Sequence, residues 1–208
     1  MFAIVDYDTG NTLNLKKALN YLNIENKLTS NSAEILAADA VILPGVGAFK
    51  AAMNELDKRG LVQVVKEVAD KGTPMLGICL GMQLLFETSS EYGLNPGLGL
   101  IPGKVEQIPE NGDLKVPQMG WNENEVQQKD SPFALAEGNY TYFVHSYYAN
   151  CDPHYIVASV DYGVQIPSIV QNENVVGMQF HPEKSGEVGL QLLQKFQEMV
   201  KTNDFSRN

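Results

Sequence analysis

The residues best placed to do chemistry surround Cys79, in the run Met75-Leu76-Gly77-Ile78-Cys79-Leu80-Gly81-Met82-Gln83-Leu84-Leu85-Phe86. The pattern predicts an apolar strand that breaks at a glycine-flanked cysteine and continues as an apolar helix. Glycines on either side remove the Cβ atoms that would clash in a sharp strand-to-helix turn, and the thiol is pushed out of the sheet. At a helix start, free backbone N–H groups and the macrodipole favour thiolate over thiol and can receive an oxyanion. A cysteine in apolar sequence is by itself more often a small buried hydrophobe. What tells against that reading lies a hundred residues on, in Val175-Val176-Gly177-Met178-Gln179-Phe180-His181-Pro182-Glu183. There an apolar strand ends in a histidine, with a carboxylate two residues later. In extended chain these two project to one side, and Pro182 stiffens the turn between them. Glu183 is therefore expected to orient His181. Thiol, imidazole and carboxylate are the three parts of an activated acyl-transfer nucleophile.

These groups need a scaffold, and the first half of the chain alternates strands with helices. Phe2 to Asp6 reads as a strand, and Leu15, Ala18, Leu19 and Leu22 make the stripe of an amphipathic helix. A short strand at Asn26 to Thr29 and a brief helix at Ala33 to Leu36 lead to Ala40-Val41-Ile42-Leu43, a typical buried parallel strand. Helical sequence from Ala48 to Asp70 returns the chain to the cysteine strand. This predicts an α/β fold: an open, mostly parallel central sheet flanked by helices, with ligands gathered beyond the carboxyl ends of its strands. From Leu98 to Phe180 short strands and turns take over, the most β-prone being Thr141 to Tyr148, which implies additional antiparallel strands. Ser185 reads as the N-cap of a last helix in which Val188, Leu192, Phe196 and Val200 repeat every four residues; the tail after Lys201 reads as frayed.

A chain of 208 residues, 44% apolar, is most economically one domain, taken as 1–208. Its net charge of −10 argues against nucleic-acid binding, which needs a concentrated basic face. The start Met1-Phe2-Ala3-Ile4-Val5-Asp6 lacks a basic leader, and the run Met75 to Phe86 is too short to span a bilayer, so no membrane is expected and a cytoplasmic location is. Cys79 and Cys151 read as free thiols. With three histidines and two separated cysteines there is no metal-ligand spacing, and neither metal nor cofactor is expected.

A glycine loop, Pro44-Gly45-Val46-Gly47-Ala48-Phe49, follows the second buried strand. A dinucleotide fingerprint would need glycine where Lys50 stands. The loop is either a plain strand-to-helix turn or, given Cys79, the second half of an oxyanion hole.

Together the loop, the elbow from Gly77 through Gly81 to Gln83, and His181-Pro182-Glu183 resemble the class I, triad-type glutamine amidotransferases. Further segments narrow the resemblance to the glutaminase subunits of imidazole glycerol phosphate synthases: Ile4-Val5-Asp6-Tyr7 through Gly10-Asn11, Pro-Gly-Val-Gly at 44–47, Lys115-Val116-Pro117 through Met119-Gly120-Trp121-Asn122, and Tyr142 to Tyr147. The resemblance implies that Cys79 attacks the side-chain amide of L-glutamine, that His181 protonates the departing ammonia, and that Glu183 holds His181. It places the oxyanion on backbone N–H groups of Leu80 and of Val46 and Gly47, after the loop peptide reorients. Gly47, Gln83, Glu91, His145, Ser146 and Tyr147 would surround the glutamine. Gln83, one helical turn beyond Cys79, fits that cleft on geometry as well. A partner (βα)₈ barrel, the cyclase subunit, would form a heterodimer with the chain and combine the ammonia with phosphoribulosyl formimino-AICAR ribonucleotide, giving imidazole glycerol phosphate and AICAR in histidine biosynthesis. Trp121, Asn122, Tyr142 and Lys184 match segments used at or near that contact. One departure is Gln118, where the resemblance leads to histidine.

Without the resemblance Trp121 reads as a core aromatic, His145 as a satisfied edge histidine and Lys184 as a solvated charge. His154 and Cys151 read as structural. Other glutaminase subunits, for pyridoxal phosphate or anthranilate synthesis, share the triad and stay open as alternatives, as do a non-enzymatic regulatory module and a peptide-cleaving cysteine hydrolase. Val46, β-branched between two glycines, implies a loop with two states and slow glutamine hydrolysis by the isolated chain.

Overall fold

Four-residue apolar runs, too short for helices, form the centre of the molecule. The computed structural model describes residues 1–8, 12–110 and 114–202. Gly10, Asn11 and the tail beyond Thr202 lie outside the described residues. Strands and helices first alternate as β1 (Phe2–Val5), α1 (Thr12–Tyr21), β2 (Asn26–Thr29), α2 (Ser32–Leu36), β3 (Ala40–Leu43), α3 (Phe49–Lys58), α4 (Leu61–Asp70), β4 (Met75–Ile78) and α5 (Leu80–Leu84). Then follow β5 (Phe86–Ser89), β6 (Asn95–Pro96), β7 (Ile101–Gln107), β8 (Gln118–Glu123), β9 (Glu125–Val126), β10 (Tyr140–His145), β11 (Tyr147–Asn150), β12 (Ile156–Asp161), β13 (Gln165–Asn172) and β14 (Val175–Met178), and α6 (Gly186–Thr202) closes the described chain.

The central sheet has the order β2-β1-β3-β4-β14-β13-β12-β9. Its first five strands run parallel, and the last three join antiparallel. This is the open, mostly parallel sheet with later antiparallel strands that the sequence pattern predicts. Smaller sheets pair β10 with β8 and order β11-β7-β5-β6. Side chains alternate between two apolar layers. Phe2, Ile4, Ile42, Leu76 and Met178 face α1 and α6, while Ala3, Val41, Leu43 and Met75 face α2, α3, α4 and α5. Strands buried on both faces read as continuous apolar runs, which is why β1, β3, β4 and β14 are legible as strands.

Because β3, β4 and β14 are parallel neighbours, the loop after β3, the turn after β4 and the segment after β14 leave the sheet at one edge. β14 arrives last in sequence and slots beside β4, with Gly177 opposite Gly77 and Met178 opposite Ile78. That insertion brings residues a hundred positions apart to adjacent strand ends.

The helical stretch predicted over 48–70 is two helices, broken where Gly60 takes a left-handed φ of 66°. Ser185 precedes α6 as predicted, and its carbonyl accepts from Gly189 N. Its hydroxyl, however, donates to His181 O at 2.7 Å and accepts from Tyr142 N at 3.0 Å, so it ties the segment after β14 to β10 rather than capping the helix.

Candidate active site

Cys79 is the corner between β4 and α5, with φ 54° and ψ −112°. For a non-glycine residue that conformation stores about 1–3 kcal/mol of strain, held in place by the surrounding packing. The neighbouring glycines make the packing possible. A Cβ on Gly81 would lie 1.8 Å from Leu43 O, and one on Gly77 2.7 Å from Gly81 O. The apolar helix expected after the elbow is α5, five residues long before the chain turns into β5. Leu80 to Leu84 are all buried, and the apolar run reflects enclosure on every side rather than helical length.

His181 leaves the end of β14, and Pro182–Lys184 form a single 3-10 turn with the proline at its start. The turn, not the extended chain expected, swings Glu183 back so that its Oε1 accepts from His181 Nδ1 at 2.8 Å. Both side chains are buried. With Nδ1 so engaged, Nε2 is the atom left for the cysteine; it has no aligned hydrogen-bond partner among the described residues. Burial works to lower the imidazole pKa, but Cys79 and Glu183 together outweigh it and raise it to about 9. At neutral pH the ring therefore holds a proton beside the sulfur.

Cys79 and His181 open into a cleft of about 430 Å³ whose wall also includes Val46, Gly47, Leu80, Gln83, Glu91, His145, Ser146, Tyr147 and Lys184. Every residue expected to hold the oxyanion or the substrate thus meets in one place. A wider, more open depression around Glu87, Lys104 and Cys151 contains none of them. At the cleft, Gln83 Nε2 donates to Tyr147 O at 2.7 Å and to Gln179 Oε1 at 3.1 Å. His145 Nδ1 donates to the same Tyr147 carbonyl at 2.8 Å. Burial, with the nearby His181 adding to it, holds the His145 pKa down to about 4, so the ring is neutral and its buried Nε2 is a bare acceptor. Glu91 Oε2 accepts from Phe49 N at 2.6 Å and so pins the turn after β5 to the start of α3.

The glycine loop is anchored at one end and open at the other. Gly45 is packed against Tyr7 and Leu80, where a Cβ would come 2.7 Å from Tyr7 Oη, and the Tyr7 hydroxyl donates to Pro44 O. Gly47 has a φ of +95° and open space where a Cβ would be, and Val46 is 41% exposed.

Trp121 and Tyr142 face each other across the β8–β10 pair with ring centroids 6.0 Å apart. Trp121 is 52% exposed and Met119 65%, so Trp121 is not the core aromatic that composition favours. Asn122 is half-buried and its Oδ1 accepts from Gln118 Nε2 at 2.9 Å, while Gln118 itself is fully buried with Oε1 unpartnered among the described residues. Lys184 stands in the cleft wall rather than apart as a solvated surface charge. His181 N donates to Tyr142 O at 3.0 Å, which links this aromatic face directly to the imidazole segment. The sequence reading misses Tyr92, Pro117 and Val144, which complete the cleft wall, and Gln179. Pro117, Val144 and Gln179 lie within segments that the sequence reading singles out without giving them a role, Gln179 standing two residues before His181, and Tyr92 has no signal.

Among the described residues no group of three His, Cys, Asp or Glu side chains could hold a metal ion, and no helix is long and apolar enough to cross a membrane.

Compared with known proteins, residues 3–199 match the family model for glutamine amidotransferase class-I. The chain is 64% identical over 208 residues, the whole of both chains, to the imidazole glycerol phosphate synthase subunit HisH of Lactiplantibacillus plantarum. It is 52% identical to the protein of the same name from Listeria innocua, over 97% of each chain. A crystal structure of a glutamine amidotransferase superposes with a TM-score of 0.76 at 21% identity, covering 96% of this chain and 98% of that one, a likeness of fold.

Proposed function

The chain belongs to the class-I glutamine amidotransferases, and from that premise we propose that it is the glutaminase subunit of an imidazole glycerol phosphate synthase, releasing ammonia from glutamine for histidine biosynthesis. Relatives 64% and 52% identical along essentially their full length carry that subunit's name. The observation that carries the chemistry is the strained Cys79 corner opening into the same cleft as a His181 ring fixed by Glu183.

In the first step the Cys79 thiolate attacks the side-chain amide carbon of glutamine. The carbonyl oxygen becomes an oxyanion, received by the backbone N–H of Leu80 and by the Val46–Gly47 peptide once that loop has turned. His181, protonated at neutral pH, gives its Nε2 proton to the amide nitrogen as the C–N bond breaks, so ammonia leaves and a glutamyl thioester remains. Neutral His181 then takes a proton from water, hydroxide adds to the thioester, and glutamate departs as the thiolate is restored. Glu183 holds the imidazole tautomer throughout and stabilises its charged form.

Gln83, Glu91, His145, Ser146 and Tyr147 bind the substrate. The free Glu91 oxygen is an acceptor that suits its ammonium group. The partner is a cyclase barrel that docks on the face carrying Trp121, Asn122, Tyr142 and Lys184 and takes the ammonia onward in a lyase-type reaction as one half of a heterodimer. Residues 1–208 act as one amidotransferase domain. Two free cysteines, one of them the nucleophile, suit the reducing cytoplasm.

Glutamate release in the presence of cyclase and its acceptor ligand tests the reading. The native chain turns over and Cys79→Ala falls by more than about 10³-fold; equal or absent turnover in both would sink it. Co-purification with a barrel other than the cyclase would overturn the subunit assignment alone.

A further inference from the structure

Gln179 is completely buried, and no step above uses it. It follows Met178, whose carbonyl accepts from Cys79 N at 2.8 Å, so Gln179 and Cys79 stand side by side at the ends of β14 and β4. Its Nε2 lies 4.0 Å from Cys79 Sγ, the outer reach of a nitrogen–sulfur hydrogen bond. A chain of obligatory orientations sets which end of the amide faces the sulfur. The Tyr147 carbonyl can only accept, which turns the Gln83 NH₂ group toward it. The second N–H of Gln83 then points at Gln179, whose oxygen must accept it. What remains to face Cys79 is the Gln179 NH₂ group.

We infer that Gln179 is a donor to the nucleophile, its amide N–H drawn to the Cys79 sulfur when the thiolate forms and its orientation imposed through Gln83 by the Tyr147 carbonyl. An N–H dipole is attracted far more strongly to a full negative charge than to a neutral thiol, so the contact favours the reactive form. Gln83 lines the cleft and Gln179 does not, so a substrate bound against Gln83 acts on the sulfur through a single intervening amide.

The test is the pH profile of iodoacetamide alkylation of the full chain, with the modified residue identified by mass spectrometry. Burial pushes the half-buried Cys151 thiol up to about 11, so Cys151 contributes little alkylation below pH 9 and the modified-site assignment separates it from Cys79. In Gln179→Met the inflection moves to higher pH and the rate at pH 7 falls about tenfold, the equivalent of one hydrogen bond to a charged group. Gln179→Glu, which turns an acceptor on the sulfur, moves it further. For Gln179→Met, kcat for glutamine falls by a similar factor with KM unchanged within about twofold, since substrate does not touch the residue. Folded variants whose alkylation profiles overlay the native one would overturn the inference. Should neither variant fold, the Gln179 side-chain amide signals of the native chain serve: they follow the sulfur's titration by NMR and lose that dependence in Cys79→Ala, and signals that do not move would overturn it equally. The inference takes Cys79 as the nucleophile of the proposed reaction, yet alkylation needs no glutamine. A Gln179-dependent profile in a chain that never releases glutamate would sink the glutaminase reading and leave this one standing.

Discussion

His145 and His181 are both buried in one cleft, yet they hold opposite protonation states at neutral pH. The difference lies in their partners. His181 sits between a carboxylate and a thiol, whereas among the described residues the His145 ring bonds a backbone carbonyl that cannot offset its burial. An ordinary histidine titrates near 6.5, so between that value and about 4 the unfolded chain takes a proton at position 145 that the folded chain refuses. The stability contributed by neutral His145 is therefore complete above pH 6.5 and drains away as pH falls toward 4. Urea titrations at pH 7 and pH 4.5 should show a loss on acidification that shrinks by about 2–3 kcal/mol in His145→Asn, allowing for the size of this depression. An acid sensitivity identical in native and variant chains would show that the ring is not kept neutral. The sequence could not reveal this histidine's state, because the Tyr147 carbonyl that fixes its tautomer comes from the next strand's start and its enclosure comes from elements far away in the chain. The triad is different. Glycines flanking Cys79 and the His181-Pro182-Glu183 triplet are local signals, and they are legible as such.

At the scale of elements, β1, β3, β4 and β14 announce themselves because strands enclosed on both faces leave no polar position, and the stripe of α1 because one of its faces stays wet. What eluded the sequence reading was set by tertiary contact. The hydroxyl of Ser185 is drawn from its capping role by a strand forty residues upstream. The elbow and the glycine loop also divide their glycines by purpose. Gly81 is there for space, since any side chain would collide with the β3 backbone, while Gly47 is there for conformation, with room to spare and a φ of +95°. The two should separate under substitution. Gly81→Ala has rigid backbone to displace and should cost more than about 3 kcal/mol or abolish folding. Gly47→Ala should cost only about 1 kcal/mol, the strain of a Cβ at positive φ, while lowering glutamine turnover at least about tenfold by restricting the peptide that meets the oxyanion. Thermal melts and steady-state glutamate release measure both, and a Gly47→Ala chain with native turnover would remove the loop from the mechanism.

For the whole molecule the arrangement of the β8–β10 aromatic face and the cleft matters most. Trp121 and Tyr142 stand on the outer side of the β8–β10 pair, and the backbone of Tyr142 is bonded in both directions to the imidazole segment, accepting from His181 N and donating to the Ser185 hydroxyl. A partner pressing on those aromatics would bear on the segment that carries His181, the proposed general acid. Lys184, in the same 3-10 turn as Glu183, stands in the cleft wall. On the opposite wall the glycine loop is packed at Gly45 and has open space at Gly47, which leaves room for the peptide reorientation that the proposed mechanism requires and that the proposed cyclase would bias. Coupling of this kind acts on the transition state more than on substrate affinity, because the oxyanion and the departing ammonia exist only there. Titrating purified cyclase, with its acceptor ligand, into the chain while following glutamate release should raise kcat by at least about tenfold and move KM by less than about threefold. Trp121→Ala should shift the midpoint of that titration to about 10–100-fold higher cyclase concentration, as removal of an exposed aromatic anchor at an interface does. Full activity in the lone chain, flat across the titration, would mean that the cleft is already assembled and that the aromatic face has no say in its chemistry.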